Sequence, residues 1–252
     1  MTWLVRTAST FALASMILAS GCAHYVTPGA RADFTRLTNN DSPEASSGGS
    51  ASRDDPYAAK PAAHFPANLA VARIQAPNYR SYGAEGYAGG DFPIVTFREF
   101  EDDSHFNRLA GMPRVEGVAP LNRLLIPLRL HGSDGLRAAA AKLQTDILLI
   151  YTIDTGFFDQ QKSVPLSVIS LGFFPTKNVR VSSTASALLI DVRTGFIYGA
   201  AENTQRAEQG ASVWSTAAAV EQTRVKTEKA AFENLLGEIE KLWPGLVNRY
   251  AG

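Results

Sequence analysis

The segment from Ser133 to Asp154 constrains the fold more than any other part of the chain. Ser133-Asp-Gly-Leu-Arg-Ala-Ala-Ala-Ala-Lys-Leu-Gln144 reads as a helix, with Ser133 or Asp134 placed to cap its amino terminus and Leu136, Ala140 and Leu143 on one face. It runs without a linker into Thr145-Asp-Ile-Leu-Leu-Ile-Tyr-Thr-Ile-Asp154, an unbroken apolar run bounded by turn residues. A strand that is apolar at successive positions must be covered on both faces, so Asp146 to Thr152 is predicted to be a central buried strand. A helix feeding straight into such a strand predicts an α/β layer.

The rest of the pattern fits that class. In Phe65 to Gln75, Leu69, Val71 and Arg73 alternate with Ala70, Ala72 and Ile74, which predicts a first strand; Phe92 to Arg98 predicts a second. Ser104 to Leu109 suggests a short helix, and Gly117 to Pro127 is an apolar segment cut by two prolines. Val179 to Asp191 and Phe196 to Thr204 flank Arg193-Thr-Gly195, predicting an antiparallel hairpin whose turn uses the positive φ open to Gly195. From Ser212 to Trp243 one long helical region carries Phe232, Leu235, Leu236, Ile239, Leu242 and Trp243 at helical spacing, with Pro244 expected to end it. The expectation is a single α/β domain over 65–252, a mixed sheet flanked by helices.

Ahead of it, residues 22–64 shift to Ser, Ala, Gly, Pro, Asp and Asn, a composition too poor in apolar groups to offset the entropy of ordering. They predict a disordered tether with a reach of about 35 Å. A structured extension around Phe34 and Leu37 is the alternative.

The first 21 residues carry one positive charge, Arg6, an apolar stretch from Thr7 to Leu18 and a small-residue junction. That is the layout of a signal peptide, too short and too rich in small polar residues for a transmembrane span. Leu18-Ala-Ser-Gly-Cys22 resembles the lipobox of bacterial lipoproteins. The resemblance implies cleavage before Cys22, acylation of its thiol and anchoring of the mature chain in the bilayer. Ala23 stands where an aspartate would imply inner-membrane retention, so the resemblance favours the outer membrane, with the domain facing the periplasm.

Chemistry is sparser. Equal numbers of basic and acidic side chains, 24 each, give no global field for nucleic acid, and a single cysteine excludes a disulfide framework. Ile150-Tyr-Thr-Ile-Asp-Thr-Gly156 matches the hydrophobic-Asp-Thr-Gly core of aspartic proteases, but that chemistry needs a second carboxylate loop. Phe157 departs from the pattern, and Asp191-Val-Arg-Thr-Gly195 is no second copy, so Asp154 reads as a turn former. His24, His64, His105 and His131 lack metal-ligand spacing, and Glu101-Asp-Asp103 beside His105 reads as a solvated acidic turn. Arg224, Lys226 and Lys229 interleave with Glu221, Glu228 and Glu233 as a solvated helix face. No catalytic residue, metal or cofactor is expected, and the chain is read as a non-enzyme; a hydrolase centred on Asp154 or Asp191 is the alternative. Tyr79, Tyr82 and Tyr87 in the Gly/Tyr-rich stretch, and Phe173 and Phe174 in the apolar 163–174 segment, are candidate contacts for a protein partner or a second copy.

Three units stand in one order: the strand at Leu69 to Ile74, the helix leading through Asp146 into a buried strand, and Ala187-Leu-Leu-Ile-Asp-Val-Arg-Thr-Gly-Phe-Ile-Tyr-Gly199. This order resembles the periplasmic α/β domain of curli-secretion (CsgG-like) lipoproteins and relatives of the TolB amino-terminal domain. The resemblance implies a binding or assembly module. An oligomeric secretion pore, a further possibility, needs alternating membrane hairpins; 163–174 loses alternation after Val168 and contains Pro165.

Overall fold

The computed structural model describes residues 30–38, 59–77, 79–81, 89–96, 98–161, 177–211 and 217–251. Its strands are β1 (Ala67–Arg73), β2 (Gly89–Gly90), β3 (Val115–Pro120), β4 (Arg129–Leu130), β5 (Ile147–Gln161), β6 (Lys177–Asp191) and β7 (Ile197–Ala211). The α-helices are α1 (Phe34–Thr38), α2 (Asp103–Ala110), α3 (Ser133–Lys142) and α4 (Ala217–Tyr250). Five strands form one mixed sheet in the order β3-β1-β5-β6-β7, and β2 pairs with β4 apart from it. β1 lies parallel to β3 and β5, whereas β5, β6 and β7 run antiparallel.

The alternation read in the sequence sorts side chains to two cores. Leu69, Val71, Ile147, Leu149 and Tyr151 face α2 and α4, where Leu109, Phe232, Leu235, Leu236, Ile239 and Trp243 are buried with them. Ala70, Ala72, Ile74, Leu148, Ile150 and Ile190 face α3 and α1, packing with Leu136, Ala140 and Leu37. β5 is therefore the two-faced central strand that its composition predicts, Leu148 and Leu149 pointing into opposite layers. The hairpin also forms as expected: Asp191 to Gly195 closes it, with Gly195 at φ 76 and its N–H donating to the Asp191 carbonyl at 3.0 Å.

Several expectations need correction. Residues 30–38 and 59–64, within the stretch expected to be tether, are packed on the domain; Leu37 has no exposed surface and the Ala32 N–H donates to Thr152 Oγ1 at 2.9 Å. The structured alternative around Phe34 and Leu37 is the one that holds there, Ala32 and Leu37 being buried in the α3-side core and Phe34 packed against it. The second strand is reduced to a bridge between Ile94 and Ile74, since Pro93 has no N–H to give a ladder. Gly132, not Ser133 or Asp134, occupies the cap of α3, Ser133 being buried and Asp134 paired with Arg137, while Leu143 falls just past its end, partly exposed. Pro244 does not end α4, which continues to Tyr250 because Trp243 and Leu246 both stay in the core.

Candidate functional site

The densest polar chemistry lies under α4, where the carboxyl end of β1 and the middle of β5 meet the loop that leads into α2. Arg73 leaves β1 on the α4 face and donates to Glu101 at 3.1 Å and to the Tyr79 hydroxyl at 3.0 Å. Tyr151, its partner in register on β5, donates to the same Glu101 at 2.8 Å. Two turns into α4, Arg224 spans Glu228 at 2.6 Å, Glu221 at 2.5 Å and Glu99 at 2.6 Å. Glu228 accepts from Thr155 at 2.7 Å, and Thr155 meets Ser183, which extends the network to β6.

Two guanidinium groups thus face four carboxylates, and Arg73, Glu101, Arg224 and Glu228 are all buried. Burial alone would favour neutral Arg224, yet the carboxylates of Glu221, Glu228 and Glu99 outweigh it and hold the side chain firmly charged. Arg73 behaves the same way through Glu101. Burial raises Glu228 above the ordinary carboxylate value, with Arg224 and Arg73 opposing. Burial, reinforced by Glu101, also pushes the Tyr151 phenol well up, which keeps it a donor.

Beside this network, a cavity of about 40 Å³ is lined by Arg73, Arg98, Glu101, Phe106, Pro120 and Tyr151. That volume suits a few waters, not a substrate. Arg73 Nε and Glu99 Oε2 are buried without a partner among the described residues; Arg73 lines the cavity, where a water is the ordinary way to serve such an atom. The arrangement clamps α4 to the sheet and to residues 99–101. Among the described residues no group of His, Cys, Asp and Glu could hold a metal ion.

Asp191 forms a second centre, at the opposite end of the sheet. Its carboxylate accepts from the N–H groups of Ala62 at 2.7 Å, Arg193 at 2.9 Å and Thr194 at 2.9 Å, and from the Tyr198 hydroxyl at 2.7 Å. Burial works against the charge, but these donors, Tyr198 first, win and leave its pKa below the ordinary value. The Tyr198 hydroxyl in turn receives the Ala63 N–H at 3.0 Å, and Thr194 donates to the Lys60 carbonyl at 2.6 Å. Asp191 is therefore a latch for residues 60–63. Asp154 is exposed on β5, facing Thr184 in register, away from both centres.

Several of these residues lie elsewhere than the sequence pattern predicts. Tyr79, expected in an exposed contact loop, is buried because Arg73 holds both its hydroxyl and its ring, the guanidinium lying 5.5 Å from the ring centroid. Tyr82, Tyr87, Phe173, Phe174 and Cys22, with the 163–174 segment, lie outside the described residues. The expected solvated face of α4 holds at Lys226 but fails at Arg224 and Glu228, which point inward one turn apart. Glu101 and His105 are buried too, the latter accepting the Asp102 N–H to complete a capping box for α2. One signal could have found the network: Arg73 sits on the same strand face as Leu69 and Val71, where a charge demands a buried partner.

The third feature is the far half of the sheet. β1 pairs with β5 only as far as Tyr151, whereas β5, β6 and β7 stay in register out to Gln161, Lys177 and Ala211. A three-stranded antiparallel ribbon thus extends past the parallel half. Among the described residues, neither β7 nor β5 beyond Asp154 has a strand on its outer side.

These features define a mixed α/β sheet protein with two structural polar centres and a long antiparallel ribbon. No protein-family model matches the sequence, and no curated protein does. Among solved structures it is similar to a Xanthomonas campestris protein of the DUF330 family, at 12% identity and a TM-score of 0.34, covering 75% of this chain and 91% of that one. It is also similar to the PelC dodecamer of Paraburkholderia phytofirmans (11% identity, TM-score 0.27, covering 71% and 93%) and to a hypothetical protein of Chlamydia trachomatis (11%, 0.31, 72% and 98%).

Proposed function

We propose that this chain is a bacterial envelope lipoprotein, anchored in the outer membrane through acylated Cys22 and facing the periplasm, whose domain is a non-catalytic assembly module. The anchor rests on the Leu18 to Cys22 motif. The observation that carries assembly is the ribbon: β7 over fifteen residues and β5 from Asp154 outward offer backbone donors and acceptors along their outer edges. Such edges template pairing with another strand, and an edge of this length needs a specific partner to be safe from indiscriminate association. The partner we favour is a second copy, β7 of one chain lying along the outer side of β5 beyond Asp154 in the next, where no described strand pairs. Asp191, the better placed of the two candidate hydrolase centres, supports the same reading, since all its acceptor capacity is spent on the chain's own donors.

Sedimentation of the purified protein tests this. A mass above the 27.1 kDa of one chain is expected. Phe158→Lys, which puts a charge on the exposed part of the β5 edge, should return it to a monomer without lowering Tm. A wild-type protein that stays monomeric at high concentration overturns self-assembly, and hydrolytic activity lost on Asp154→Asn overturns the non-catalytic reading. Cys22→Ser should release the protein from membranes.

A further inference from the structure

Between β3 and α3 the chain reads Asn122-Arg-Leu-Leu-Ile-Pro-Leu-Arg129, and its surface is unusual. Leu124 is 86% exposed and Leu128 75%, more than any other large apolar side chain among the described residues. The loop under them is fixed. Leu121, Ile126 and Leu130 are buried in the core, the Leu121 N–H donates to the Val71 carbonyl at 2.8 Å, and Asn122 caps the turn Arg123–Leu125 by accepting from the Leu124 N–H at 2.9 Å. The two leucines are thus held outward by a rigid base, and exposed Arg123 and Arg129 stand at either side.

The neighbouring element is α1. Phe34 and Leu125 pack against the same buried cluster as Leu37 and Ile126, and Arg36 pairs at 3.4 Å with Asp91, whose N–H donates to the Leu130 carbonyl. This end of the molecule therefore gathers exposed Arg31, Arg36, Arg123 and Arg129 against Asp33 and Asp91. Ala30, fixed by the Ala76 N–H at 3.1 Å, marks where the described chain begins. Only seven residues, 23–29, lie between it and Cys22, eight steps that span about 28 Å at full extension.

We propose that the 122–129 loop is a second membrane contact, Leu124 and Leu128 entering the interface of an anionic bilayer with Arg123 and Arg129 among the headgroups. The proposal rests on Cys22 as the lipid anchor, because the short span to Ala30 is what brings this end to the bilayer. Apolar side chains ringed by arginines match an interfacial site: the leucines leave water while each guanidinium reaches back to phosphate.

The test joins the thiol of Cys22, the sole cysteine, to a maleimide lipid in vesicles of phosphatidylcholine and phosphatidylglycerol, so that it does not depend on acylation in the cell. Hydrogen exchange of residues 121–130 is then compared with that of the free protein. Exchange slowed roughly tenfold is expected, the factor corresponding to 1.4 kcal/mol. In Leu124→Ser/Leu128→Ser the slowing should vanish at an unchanged Tm. Equal exchange on vesicles and in solution, or slowing that survives the double substitution, overturns the contact. The mass of the Cys22 peptide from cells tests the anchor separately: an unmodified thiol would remove that reading whatever the loop does.

Discussion

A guanidinium with no exposed surface is stable only while the carboxylates around it remain. Removing Arg224 as Arg224→Met leaves Glu228 and Glu99 buried with one cation fewer, and should cost about 3–5 kcal/mol, read as a fall in the urea midpoint. Removing charge from the other side has the opposite logic. Burial holds Glu228 above its ordinary value of 4.5, so over the window just above that value the folded protein keeps a proton that the unfolded chain releases. Stability from this group is then present at lower pH and declines as pH rises through the window. Asp191 runs the other way: held below its ordinary value of 3.8 by Tyr198, Thr194, Ala62 and Arg193, it contributes stability above that value and loses it as pH falls. Glu228→Gln should flatten the dependence of Tm on pH above 4.5, and Asp191→Asn the dependence below 3.8. A single-site effect that left both slopes unchanged would show that other groups set them. Neither behaviour was legible in the sequence, since Arg224, Glu228 and Lys226 look alike as letters; what separates them is whether the residue lies above the sheet or above solvent.

At the scale of elements, hydrophobic period carried the reading and boundaries limited it. β5 and α4 announce themselves because Ile147 to Tyr151 and Phe232 to Trp243 repeat apolar side chains at strand and helix spacing. The end of α4 was missed because proline is a local signal, overridden here by the burial of Trp243, whose indole N–H also reaches the Pro113 carbonyl at 2.7 Å. Pro244 leaves the Glu240 carbonyl without its helical donor. Pro244→Ala restores that bond in a backbone already helical and should raise Tm by several degrees, at roughly 2–4 °C per kcal/mol for a chain of this size. A lower Tm would mean that the missing bond is satisfied in another way. Gly90 works in the opposite sense. Its φ of 99 is unsuited to other residues, and a Cβ there would strike the Leu130 backbone, so this close approach of β2 to β4 depends on glycine. No sequence pattern marked it, because the two strands are only two residues long and their partner lies forty positions away.

At the scale of the whole molecule, the amino-terminal chain behaves as part of the fold. Residues 30–38 dock on the α3 face near the carboxyl ends of the parallel strands, and residues 60–63 are latched by Asp191 and Tyr198 at the opposite end. Composition alone predicts a leash of about 35 Å from Cys22 to the domain; with α1 docked, the described fold already begins at Ala30. Leu37 is the side chain that secures the shorter span, having no exposed surface in a helix of only five residues, too short to persist unless packed. Fully burying a leucine contributes about 1.5–3 kcal/mol, so Leu37→Asp, which adds the cost of burying a charge, should tip α1 into an undocked state. Arg31 and Arg36 lie within the docked segment as tryptic sites, Arg36 inside the helix, that docking protects. Cleavage there should accelerate at least tenfold in Leu37→Asp, because protease attack on a rapidly opening segment follows the population of its open form. The sheet retains its own two-layer core under α2, α3 and α4, so Tm should fall by only a few degrees. If cleavage at Arg36 were unchanged, α1 would be held by something other than Leu37 and the short-span geometry would lose its anchor point; if the whole domain unfolded, the amino-terminal segment would be a structural part of the core and not a detachable strap.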